Sequence, residues 1–95
     1  MKSIIQVKKV CYICGTTMNL EEHHCIHGTA NRKLSEKDGL KVWLCYEHHR
    51  GDKGVHGKNG TTLDTYLKSE AQIAWEQYNK KTKEVFIDRY GKSYI

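Results

Sequence analysis

Cys11 and Cys14, then Cys45 and His48, form two short pairs with the residue types and spacing of a metal clasp. Each pair leaves two residues between its members, so one tight turn can aim both donors at a common point. Two such turns supply a tetrahedral donor set of the kind that holds structural zinc. Inside that clasp stand two adjacent histidines, His23 and His24; His49 directly follows the second pair, and His56 comes later. Imidazole binds divalent ions and titrates near neutrality. One member of such a cluster can therefore ligate a metal while another takes a proton from water. His49 follows the zinc ligand at the start of a short helix and points away from the zinc; it either serves a second metal or only caps the helix. His56 either completes that second site or only decorates a loop.

The elements that must position these side chains follow from local pattern. Ile4 to Val7 reads as a short strand, and Leu20 to Ile26 as an extended segment carrying the histidine pair. Neighbouring strand residues face opposite sides, so a site using both His23 and His24 requires a kink, a bulge or the strand's end. Cys25 then reads as a small buried hydrophobe, and His27 as an exposed loop histidine. Residues 27–39, rich in turn formers and polar groups, read as a loop. Leu40 to Leu44 reads as a second strand, Tyr46 to Arg50 as a short helix, and Gly51 to Gly60, with four glycines, as a loop. A long helix starts near Thr61 or Thr62, with Leu63, Tyr66, Leu67, Ala71, Ala74 and Tyr78 on its inner face. Thr82 caps a last helix that places Val85, Phe86 and Tyr90 inside and stops at Gly91.

Ninety-five residues allow one domain, 1–95, with a zinc-bearing core at about 8–60 and a helical extension at about 61–91. Only 38% of residues are hydrophobic, so so short a chain needs a staple such as a metal. No stretch is long and apolar enough for a membrane span, and the first residues do not resemble a signal peptide. The expected location is the cytoplasm, where paired cysteines bind metal more often than they form disulfides. The net charge of +5 favours a polyanionic partner, nucleic acid first among them. Arg32, Lys33, Arg50 and Lys53 flank the histidines in sequence, as backbone-phosphate contacts or as solvated surface charges.

From about Cys11 to His56, roughly half the chain, the residues resemble a small HNH endonuclease of the zinc-stabilised branch widespread in bacteriophage genomes. The matching pieces are Cys-Tyr-Ile-Cys, Leu-Glu-Glu-His-His, Leu-Cys-Tyr-Glu-His-His-Arg and Gly-Val-His-Gly. The resemblance implies an α+β fold, a ββα-metal core followed by C-terminal α-helices. It implies that His23 and His49 bind a catalytic Mg²⁺, Mn²⁺ or Ni²⁺, that His24 is the general base, and that His56 completes the metal set. His56 stands further from His49 than the family's usual helical turn. The family's middle asparagine falls at Leu40 here, and Asn31, earlier in the loop, is the candidate to brace the base. Glu21 or Glu22 can orient an imidazole. The implied activity is hydrolysis of double-stranded DNA with low sequence preference, nicking or cutting, to leave 5′-phosphate and 3′-hydroxyl ends. The implied assembly is a monomer or homodimer, alone or with a phage or host protein. The competing reading is a degenerate, zinc-stabilised module for nucleic-acid or protein binding.

Overall fold

The computed structural model describes all 95 residues as an α+β unit of two strands and four helices. β1 (Leu20–His24) pairs antiparallel with β2 (Lys41–Cys45), in a register that sets Glu21 opposite Leu44, His23 opposite Val42 and His24 opposite Lys41. α1 (Thr29–Asp38) connects the two strands. α2 (Tyr46–Arg50) follows β2 with no intervening residue, and α3 (Thr61–Asn79) and α4 (Lys83–Tyr90) complete the chain. No helix is long and apolar enough to cross a membrane.

α1 replaces the loop expected over residues 27–39. Gly28, with φ of 102°, turns the chain into it, and Gly39, in the left-handed region, ends it. Ala30, Arg32, Lys33, Leu34, Glu36 and Lys37 are all competent helix formers. The helix lacks a hydrophobic stripe because its buried face is largely polar. Ser35 is fully buried and donates its hydroxyl to the Ile26 carbonyl at 2.6 Å. Asp38 accepts from Trp75 of α3 and from Arg89 and Tyr90 of α4. Polar contacts, not apolar periodicity, hold α1 in place.

The strand expected at Ile4 to Val7 does not form either. The segment instead runs along the outer edge of β2. Ser3 donates its hydroxyl to the Lys41 carbonyl, and the Gln6 side chain accepts the Trp43 N–H. The Tyr12 N–H then reaches the Trp43 carbonyl at 2.8 Å. Side chains and one backbone group thus occupy positions that a third strand's ladder would have filled.

The core joins both halves. Ile26, Leu40, Val42 and Leu44 from the sheet region meet Leu67, Ala71, Trp75, Phe86 and Tyr90 from the helical pair. The Phe86 and Tyr90 rings stack with centroids 4.6 Å apart, and Trp75 meets Phe86 edge-on at 5.5 Å. α3 buries Leu67, Ala71, Gln72 and Trp75, while Tyr66 and Tyr78 are exposed. Its inner face is therefore rotated from the expected one, because buried Gln72 is satisfied by bonding to Tyr94, Ser93 and Glu76. In α4 Phe86 and Tyr90 are buried but Val85 is exposed. Thr82 and Gly91 cap α4 as expected, and Gly60, not Thr61 or Thr62, precedes α3.

Candidate metal centre and histidine pocket

Cys11, Cys14, Cys45 and His48 converge as their spacing required, with donor atoms all within 4.8 Å of one another. Tetrahedral ligands at about 2.0–2.3 Å from an ion lie about 3.3–3.8 Å apart. The separations here are 3.9 Å for Cys14 Sγ to Cys45 Sγ, 3.7 Å for Cys11 Sγ to His48 Nδ1 and 3.2 Å for Cys45 Sγ to His48 Nδ1. None of the cysteines is in a disulfide. Burial would raise the Cys11 thiol, but the backbone N–H groups of Cys14, Cys45 and Ile13 bring it down to about 6. Burial and the two neighbouring sulfurs raise Cys45 instead. Three crowded sulfurs that cannot all ionise without a cation, plus the His48 imidazole, fit a structural metal such as zinc.

Successive residues of α2 serve two sites. His48 turns to the cysteines, while His49 is buried on the other side, against β1. There its Nδ1 meets Glu21 Oε1 at 2.9 Å, so Nε2 is its free donor. Glu21 is thus the orienting carboxylate, held in turn by Arg50 at 2.9 Å, and both contacts lower its carboxyl.

His23 projects from β1 beside His49, their ring centroids 5.2 Å apart. The glycine loop brings His56 over both, at 5.2 Å from His23 and 4.8 Å from His49. The His56 N–H bonds to the His49 carbonyl at 2.9 Å, and the Val55 N–H to that of His48 at 3.0 Å. This fold-back explains the long spacing between His49 and His56. It depends on Gly57, where a Cβ would overlap the Gly51 carbonyl oxygen. The donor nitrogens of His23, His49 and His56 all lie within 4.8 Å of one another. His23 Nε2 is the one buried side-chain polar atom without a hydrogen-bond partner. Burial first, and then His49, His56 and His27, push the His23 imidazole down to about 3. A neutral, buried nitrogen aimed at two other imidazoles fits a late divalent ion.

His24 leaves the strand on the opposite side without a kink, since the register runs unbroken to the His24–Lys41 pair. It still borders the pocket, because β1 ends there. The pocket, about 240 Å³, is lined by Glu22, His23, His24, His27, Arg32, His49, Arg50 and His56. His24 Nε2 meets Glu36 Oε1 of α1 at 2.8 Å, and Nδ1 has no partner in the protein. The His24 imidazole first, and then the Lys41 ammonium, hold the Glu36 carboxyl down at about 2.

Two further pocket features depart from expectation. His27 is not a free loop histidine. It is half-buried, with Nε2 2.8 Å from Asp64 Oδ1 on α3 and its ring 5.9 Å from that of His23. Asn31 does not line the pocket; its side-chain amide donates to the Tyr90 carbonyl at 3.2 Å and ties α1 to α4. Leu40 is fully buried in the apolar core, where an asparagine amide would be taken out of water. Cys25 is the buried hydrophobe expected, with burial raising its thiol. Of the four basic residues, Arg32 and Arg50 line the pocket, and Lys33 shares an adjoining cavity with His24 and Glu36. Lys53 is exposed and lines neither. Compared with known proteins, the chain matches no family model, no curated protein and no solved structure.

Proposed function

We propose that the chain is a metal-dependent endonuclease of the HNH kind that hydrolyses phosphodiester bonds in double-stranded DNA. The observation that carries this reading is the convergence of His23, His49 and His56 around an unpaired buried nitrogen, with a fourth imidazole, His24, at the pocket edge. A binding module has no use for three imidazoles facing one point beside a separate zinc frame. The β1–β2–α2 unit, with the cysteine clasp on one side and the histidines on the other, supports a ββα-metal reading, with α1 inserted between its strands.

A divalent ion held by His23, His49 and His56 would supply positive charge at the scissile phosphate and at its leaving oxygen. His24 takes a proton from water at Nδ1, the nitrogen free of protein contacts. The water oxygen bonds to phosphorus as the bond to the 3′ oxygen breaks, and that oxygen is protonated from solvent. The products are a 5′-phosphate and a 3′-hydroxyl. Arg32 and Arg50 on the pocket wall offset phosphate charge and carry no base identity.

The test is incubation of the zinc-loaded protein with supercoiled and linear DNA plus Mg²⁺, Mn²⁺ or Ni²⁺, beside His24→Ala. The expected loss in His24→Ala is about 10²- to 10⁴-fold in rate. A wild type that does not cut, or two proteins that cut alike, ends the nuclease reading. Binding of DNA without cutting would favour the degenerate module, the reading to which Leu40 at the asparagine position lends support.

A further inference from the structure

We propose that Glu36 is the positioning residue for His24, a role that rests on the nuclease reading. Three contacts build the arrangement. Glu36 Oε1 lies 2.8 Å from His24 Nε2. The Lys41 ammonium holds the same carboxylate, 2.9 Å from Oε2 and 3.2 Å from Oε1. Lys41 is also the residue paired with His24 across the sheet. Strand, partner strand and helix thus close a triangle around one imidazole, and the His24 side chain is only 13% exposed.

The chemistry follows from which nitrogen is engaged. A carboxylate accepts and cannot donate, so the proton of neutral His24 sits on Nε2 and the basic lone pair on Nδ1. Glu36 thereby fixes the tautomer and the ring plane. It also stabilises the imidazolium once the proton of water has been taken, as carboxylates do for catalytic histidines elsewhere. Asn31, bonded to the Tyr90 carbonyl, does not supply this contact.

Glu22, His24 and Glu36 have donor atoms within 4.8 Å of one another, which raises the alternative of a third metal site. Lys41 argues against it. Its ammonium lies 3.5 Å from Glu22 and 2.9 Å from Glu36 and already supplies the positive charge an ion would bring.

The experiment uses the full zinc-loaded chain. Wild type, Glu36→Gln, Glu36→Asp, His24→Ala and His24→Ala/Glu36→Gln are compared for plasmid cleavage in Mn²⁺. Zinc content and melting temperature serve as checks on folding. Glu36→Gln should cut roughly 10- to 100-fold more slowly, with KM unchanged and zinc retained, and Glu36→Asp should recover part of the loss. The double variant should be no slower than His24→Ala alone, because a residue that acts through His24 has nothing left to position. Nitrogen-15 spectra should show His24 protonated at Nε2 in wild type and a mixed or reversed tautomer in Glu36→Gln. Undiminished cleavage by Glu36→Gln, an additive loss in the double variant, or an unchanged tautomer overturns the positioning role while leaving the nuclease reading intact. A Glu36→Gln loss cured by excess Mn²⁺ also overturns it, in favour of a metal site. A wild type that does not cut ends both.

Discussion

Asp38 is the place where the two C-terminal helices grip α1, and replacing it with alanine should show how tightly. The carboxylate stands on the last residue of α1, where the helix dipole disfavours a negative charge. It is retained by three donors. Trp75 Nε1 reaches Oδ2 at 3.0 Å, Tyr90 hydroxyl reaches Oδ2 at 2.6 Å, and Arg89 spans both oxygens at 2.6 and 2.8 Å. Trp75 and Tyr90 are 5% and 3% exposed, so Asp38→Ala strands two buried donors away from water. Each costs about 1–3 kcal/mol. The Arg89 pair is a third exposed on the arginine side and adds no more than about 1 kcal/mol. The total is about 2–7 kcal/mol, against a stability of about 5–14 kcal/mol for a chain of this length. At about 4–8 °C per kcal/mol, the melting temperature should fall by at least about 8 °C.

The assay is urea and thermal unfolding of zinc-loaded protein at fixed free zinc, beside Asp38→Asn, which keeps one acceptor oxygen. The pH dependence adds a second check. Burial pushes the Asp38 carboxyl up, but the bonds from Arg89, Tyr90 and Trp75 outweigh it and leave the carboxyl below its usual range. The unfolded chain therefore takes up the proton first. The contribution is fully present above the unfolded pKa of about 3.9 and is lost as pH falls through the lower folded value. The gap between wild type and Asp38→Asn should close on acidification below about pH 4. A loss under about 1 kcal/mol for Asp38→Ala, or a gap that does not narrow, would refute the grip assigned to this residue.

Three other changes have defined outcomes. Cys14→Ser removes one sulfur of the clasp and should lower zinc affinity at least tenfold and reduce helicity on mild chelation, read by a chromogenic zinc competitor and circular dichroism. Gly57→Ala forces the loop away from the Gly51 carbonyl and should lift His56 off His49; calorimetry should show weaker Mn²⁺ binding with zinc content unchanged. Leu40→Asn puts a polar amide at a fully buried position and should cost about 3 kcal/mol or more in chemical denaturation without raising cleavage.

The metal clasp was legible because short-range spacing alone fixes which side chains can meet on one turn. β2, α2 and α4 were legible for similar local reasons: alternation, proximity to the second clasp turn, and the Thr82 and Gly91 caps. α1 was not, because Ser35 and Asp38 carry its packing through hydrogen bonds that a hydrophobic pattern does not register. Glu36 went unseen with it. Twelve residues separate it from His24, and only the helix brings them together. His27 was missed for the same reason: its partner Asp64 lies on α3, thirty-seven residues away. The run Ile4–Val7 misled in the other direction, since the side chains of Ser3 just before it and Gln6 within it, not its backbone, engage the strands.

That last arrangement has a consequence for how the sheet ends. A third strand laid on β2 would have satisfied its outward groups only by presenting a fresh row of unpaired N–H and C=O groups one strand further out, open to another chain. The Ser3 hydroxyl and the Gln6 amide instead terminate individual positions without templating a new row. On this side the smallest possible sheet is also a finished one, and growth by edge-to-edge recruitment stops at the second strand.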